Sequence, residues 1–186
     1  MIKNKQDLKE YISLDNSWIV SKNSSHKKID LLFNRYARYP SYYLKKYLKL
    51  LRKQEYYCNT ANNPIKSFLS LYYERRKNKL GIILGNEIGP NIFGKGLSVF
   101  HGGNVINPNT KAGENCTLHG NVCIGNNGIT KKTPVLGNNV DIGFGAVIIG
   151  DIFIADNVKI GANSVVTKSI YEEGSIIAGV PAKVLK

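Results

Sequence analysis

The chain has 186 residues, enough for one good core or two small units, and a formal net charge of +13. No stretch approaches the roughly 18 apolar residues of a membrane span. The start, Met1-Ile2-Lys3-Asn4-Lys5, is followed by no apolar run, so no signal peptide is expected and the chain reads as cytoplasmic.

The charge is unevenly spread. Residues 1–80 carry 18 basic against 6 acidic residues, whereas residues 81–186 carry 8 against 7. Ten of the 11 tyrosines also lie in the first 80. Two units are therefore expected: a basic α-helical domain over 1–80 and a second domain over 81–186. In the first, a short helix is expected near Asp7–Ser13 and another around Ile29–Arg38, closed off by Pro40. Over 41–57, Leu44, Tyr47, Leu48 and Leu51 form one apolar helix stripe, with Lys45, Lys46, Lys49, Arg52 and Lys53 elsewhere around it. A third helix has Asn63 as cap, Pro64 in its first turn, the stripe Ile65, Phe68, Leu69 and Tyr72, and Gly81 as its stop. No nucleic-acid-binding motif is visible. The basic, tyrosine-rich half suits a solvated helix face with aromatic packing onto the second domain or a second subunit, or peripheral attraction to a membrane surface or a lipid-linked sugar pyrophosphate.

From Ile88 to Val166 every sixth residue holds one phase, and twelve of those fourteen positions are apolar. The residue four further on is usually small or β-branched: Thr110, Cys116, Val122, Val140, Ala146, Val158, Ser164. A fixed short repeat of this kind predicts a parallel β-helix, a triangular prism of about eighteen residues per coil whose coils lie ~4.8 Å apart. The expected inner columns are Ile88, Ile106, Ile124, Ile142, Ile160; Gly94, Ala112, Thr130, Ile148, Val166; and Phe100, Leu118, Leu136, Ile154. Gly113, Gly125, Gly137, Asn138, Asn139, Gly143 and Gly161 are expected to turn the corners at positive φ. Residues 126–134 keep the count but lose the apolar marks, as a loop projecting from the prism would. A lone prism has little concave surface, so a groove between copies is the natural place for a ligand. Cys58, Cys116 and Cys123 fit neither a disulfide framework nor a metal motif, and Cys116 is expected as a packed thiol.

His26, His101 and His119 are the three histidines. His26 reads as a surface residue. His101 stands in Phe100-His101-Gly102-Gly103-Asn104, where small neighbours leave room for a ligand, and is the candidate general base. His119 lies eighteen residues on and is expected almost directly above it, as an acceptor contact or a polar turn residue. A histidine base needs a partner that fixes its tautomer and supports the imidazolium. Glu87, one coil below, is the partner expected here, ahead of Asp141, Asp151 and Asp156.

At these residues the chain resembles the left-handed β-helix (hexapeptide-repeat) acyltransferases. It is most similar to the serine acetyltransferase branch and its relatives of the polysaccharide O-acetyltransferase type. The matching stretches are Gly85–Pro90, Phe100–Gly103, Val140–Ala146, Ile160–Val166 and the tail Ala178–Lys183. The resemblance implies a mainly β fold, a left-handed parallel β-helix preceded by helices, with acetyl-CoA as co-substrate and no metal. It implies a homotrimer, and some members pair two trimers through their helical domains. His101 falls at the family's catalytic histidine and Glu87 at its paired acid, one residue closer than in typical serine enzymes. Phe144, Gly145, Ala146 and Ala162 are implied to line the pantetheine arm. Thr167, Lys168 and Lys183 are implied to lie towards the nucleotide and its phosphates.

Two departures bear on the acceptor. The serine enzymes have an acidic residue before the histidine, where this chain has Phe100. They also have an Arg-His pair before a proline, where this chain has Lys132-Thr133. A lysine does not replace the bidentate guanidinium well. The expected reaction is therefore O-acetylation of a saccharide hydroxyl of capsular, exopolysaccharide or O-antigen type, with Phe100, His119, Lys132 and Thr133 towards the acceptor. The alternative is a serine or other small-molecule O-acetyltransferase. A β-helix zinc enzyme would need three histidines around its metal, and the repeat offers two; a catalytically silent assembly protein is the remaining class.

Overall fold

The computed structural model describes residues 1–15, 17 and 27–185; His26 lies outside them. Among the described residues, four α-helices come first: α1 (Lys5–Leu14), α2 (Lys27–Tyr36), α3 (Pro40–Asn59) and α4 (Pro64–Leu84). Asn4 caps α1, its side chain accepting from the backbone N–H groups of Gln6 and Asp7, and Asn63 caps α4 in the same way through Lys66. The apolar stripe of α3 is buried as expected: Leu44, Tyr47, Leu48 and Leu51 are at most 1% exposed.

Two expectations for the helices are corrected. Gly81 does not end α4, which runs on to Leu84 and closes on Gly85 at φ +67°. Gly81 instead lets the helix meet Asn86, whose carbonyl would collide with a Cβ there. The stripe of α4 does not face the core either: Ile65, Phe68 and Tyr72 are exposed, because α4 packs through Lys77, Leu80 and Gly81 near its C-terminal end.

Thirteen strands follow, most of them two or three residues long. One sheet orders β1 (Ser98–Val99), β4 (Thr117–Leu118), β7 (Asp141–Ile142), β10 (Lys159–Ile160), β12 (Ile176–Gly179) and β13 (Ala182–Val184); the second orders β11 (Val165–Val166), β8 (Val147–Ile149), β5 (Cys123–Gly125) and β2 (Val105–Ile106); the third orders β3 (Lys111–Ala112), β6 (Val135–Leu136) and β9 (Phe153–Ile154). This is the left-handed β-helix, preceded by helices. All pairings are parallel except the terminal hairpin of β12 (Ile176–Gly179) and β13 (Ala182–Val184). At the other end, Leu44, Tyr47, Leu48, Leu51 and Leu80 share one continuous core with Ile88, Ile92, Phe93 and Leu97 of the first coil.

The six-residue phase holds from Ile106 to Val166 apart from the exposed loop residue Thr130, but it breaks in the first coil, and the columns differ from those expected. The pairings give Ile106, Ile124, Ile148, Val166 on one face, Phe93, Ala112, Leu136, Ile154, Ile170 on the second, and Val99, Leu118, Ile142, Ile160, Ile177 on the third. Phe93 and Val99 point inward in place of Gly94 and Phe100. The projecting loop inserts six residues, so phase survives while every later residue moves one face round. Loop residues Asn127–Lys132 are exposed, and Thr133 and Pro134 return to the prism.

The small positions Thr110, Cys116, Val122, Val140, Ala146, Val158 and Ser164 are all 0% exposed. Burial pushes the Cys116 thiol up to about 11. Corner chemistry is also corrected. Positive φ is carried by Asn115, Asn121, Asn139, Asn157 and Asn163, with Gly96, Gly103 and Gly145, and not by Gly113, Gly125, Gly137, Asn138, Gly143 or Gly161. The asparagines bond from coil to coil, Asn139 Nδ2 donating to Asn157 Oδ1 at 2.9 Å and Asn157 Nδ2 to Glu173 Oε1 at 2.6 Å. Gly143 serves close approach: a Cβ there would stand 2.6 Å from the backbone nitrogen of Ala162.

Candidate active site

The ends of β1 (Ser98–Val99), β4 (Thr117–Leu118), β7 (Asp141–Ile142) and β10 (Lys159–Ile160) stack in register. Two outer rows follow: Phe100, His119, Gly143, Gly161, and beside it His101, Gly120, Phe144, Ala162. The coil from Val99 to Leu118 is one residue longer than the repeat, so His119 stands over Phe100 and not over His101. The Phe100 and His119 rings meet edge to face at 4.7 Å.

His101 is exposed and lies against Gly120. A Cβ at residue 120 would come within 2.7 Å of His101 Cβ and 3.1 Å of the Phe144 ring, and Gly120 has φ +122°. The bare glycine therefore lets the His101 and Phe144 rings stand side by side, with centroids 6.5 Å apart. Behind them is a buried amide pair. Asn104, 0% exposed, donates through Nδ2 to the His101 carbonyl at 2.8 Å and to Asn86 Oδ1 at 2.9 Å. Its Oδ1 accepts from the Val122 N–H. These bonds tie the turn carrying His101 to coils on either side.

The structure does not join Glu87 to His101. Glu87 pairs with Val105, round the Gly102–Gly103 turn on the next face. Among the described residues its carboxylate makes no hydrogen bond or ion pair with His101. A cavity of about 600 Å³ between α4 and the first coil is lined by Gln54, Lys77, Glu87, Val105 and Pro108. It reaches Glu87 without His101. His101, Phe144 and Ala162 are instead exposed on the outer flank of the prism.

His119 has a carboxylate partner, which His101 does not have among the described residues: its Nε2 lies 2.7 Å from Asp141 Oδ1. In the loop, Lys132 Nζ is paired with Asp151 at 2.6 Å, and Thr133 is buried at 8% exposure. The pairing with Asp151 raises the Lys132 ammonium above its ordinary range. Phe144 and Ala162 are exposed on the His101 row, and the Gly145 N–H is already donated to the Gly120 carbonyl. Ala146 is enclosed in the prism, so its methyl cannot line an outer groove. Thr167, Lys168 and Lys183 are exposed towards the C-terminal end.

Sequence reasoning missed Asn86, Asn104, Gly120 and the His119–Asp141 pair. Asn86 and Asn104 stand one coil apart, which was a usable signal. Asp141 lies 22 residues from His119, because the inserted loop hides their adjacency.

No family model matches the chain, and no curated protein matches it by sequence. Solved structures do match. A serine acetyltransferase from Brucella abortus strain S19, in complex with coenzyme A, is 28% identical at a TM-score of 0.63 over 84% of this chain and 64% of its own. A serine acetyltransferase in complex with cysteine is 26% identical at 0.59, over 79% of this chain and 58% of its own. The Neisseria gonorrhoeae enzyme is 24% identical at 0.69, over 98% and 68%. The chain thus spans about three fifths to two thirds of the length of these structures. The left-handed β-helix behind a helical segment is the fold it shares with them, and these structural neighbours are serine acetyltransferases.

Proposed function

We propose that this chain is an acyltransferase that moves the acetyl group of acetyl-CoA to a hydroxyl, with His101 as general base. The observation that carries the reading is the exposed His101 held beside Phe144 by the bare Gly120, on a fold whose 28%-identical neighbour was solved with coenzyme A. His101 takes the hydroxyl proton as the oxygen attacks the thioester carbonyl. The C–S bond breaks and the thiolate receives the proton from the imidazolium, leaving an ester and free CoA. The thioester lies along Phe144 and Ala162, and Lys168 and Lys183 supply charge for the phosphates. A homotrimer completes the groove on the open flank.

Serine-type small molecules are the acceptors that the comparisons support best. A saccharide is the second reading, favoured by Phe100 beside the base and by a loop cation already engaged by Asp151. CoA release from acetyl-CoA, measured with free serine and with neutral glycosides, separates them. Serine turnover above every glycoside supports the first, the reverse order supports the second, and no acceptor-dependent release overturns both.

The geometry around Gly120 makes a further prediction. Gly120→Ala forces His101 aside, so CoA release should fall about 100-fold, with a stability loss of about 1–3 kcal/mol. Steady-state rates and thermal melts check it, and an unchanged rate would remove His101 placement from the account.

A further inference from the structure

The row beside His101 holds a histidine–carboxylate pair that the proposed transfer leaves unused. Asp141 Oδ1 lies 2.7 Å from His119 Nε2, and an ionised carboxylate only accepts. Nε2 therefore carries the hydrogen in the neutral ring, and Nδ1 carries the lone pair. Phe100 braces the same ring edge to face at 4.7 Å. The side chains of His119 and Asp141 are 36% and 42% exposed, and Nδ1 has no hydrogen-bond partner among the described residues. Thr117 and Lys159 flank Asp141 in the sheet, and Lys159 makes no ion pair with it among the described residues. His119 adjoins Gly120, against which His101 rests, so a group held at His119 is on the flank of the candidate base.

We propose that His119 contacts the acceptor, that Asp141 is its positioning residue, and that the pair receives an uncharged hydroxyl and not a carboxylate. Nδ1 accepts an O–H. The Asp141 charge beside it repels an anion, so the hydroxyl of a neutral glycoside is received ahead of the carboxylate of free serine. The proposal rests on the acetyl-transfer reading and deepens its saccharide branch.

The test uses the full chain, with His119→Phe, which keeps a ring against Phe100, and Asp141→Asn. Nitrogen-15 NMR of the wild type should show the Nε2–H tautomer at His119, perturbed in Asp141→Asn. For a set of methyl hexopyranosides, His119→Phe should raise the acceptor KM about tenfold with the KM for acetyl-CoA unchanged. An Nδ1–H tautomer, an unchanged acceptor KM, or turnover of serine alone overturns the proposal. If the wild type transfers acetyl to nothing, saturation-transfer NMR with the same glycosides still decides. Binding lost in His119→Phe supports the site while the transfer reading falls, and binding absent from the wild type or retained in the variant overturns it.

Discussion

Replacing Arg52 by Met is expected to destabilise the protein by about 3–5 kcal/mol, the range for removing one partner of a buried ion pair. Arg52 is 0% exposed. Its Nε donates to Asp15 at 2.6 Å, Nη1 to Glu55 at 2.9 Å and to the Phe93 carbonyl at 3.0 Å, and Nη2 to the Gly94 carbonyl at 2.6 Å. One guanidinium thereby ties the residue after α1, helix α3 and the first coil together. The two carboxylates hold it charged, well above its ordinary range. Burial pushes the Asp15 carboxyl up, and Arg52 works against that shift. Without the guanidinium, Asp15 binds its proton more readily in the folded chain than in the unfolded one. Stability of the variant should then fall as pH rises through the carboxylate range and recover in acid. Thermal melts across pH read this out, with Lys49→Met, on the exposed side of α3, as the control expected within about 0.5 kcal/mol of wild type. Equal melts for the two variants would refute the clamp.

The second large effect is chemical. His101→Gln should lower kcat for acetyl transfer by about 100- to 10,000-fold, the usual contribution of a positioned general base. An exposed side chain should leave the melt within about 0.5 kcal/mol of wild type. A full-rate variant would displace His101 as base.

The inward ladder was legible in the sequence because it imposes one apolar residue per hexad, and the small positions because the corners admit nothing larger. The columns were not, because they require the number of residues in each coil. The coil after Val99 is one residue longer than the repeat, and the loop before Thr133 adds a whole hexad, so Phe100 read as an inner residue and Asp141 seemed remote from His119. Arg52 read as one cation among several round a helix. Its burial depends on Asp15 and on carbonyls of Phe93 and Gly94, 41 and 42 residues away. Gly81 carries the composition of a helix stop, and only the approach of Asn86 distinguishes a packing glycine from a capping one. The structural neighbours are serine acetyltransferases, whereas the expected reaction was on a saccharide hydroxyl; Phe100 and the His119–Asp141 pair are the features behind that second reading.

The account turns on acetyl transfer at the His101 flank. The measurement that tests it most directly is incubation of the full chain with acetyl-CoA and a panel of hydroxyl acceptors, with both products followed by mass spectrometry. An acetyl ester on one acceptor, matched by one free CoA thiol per ester, is the expected result. Acetyl-CoA left intact with every acceptor, from a protein that melts as a folded β-helix, would contradict it.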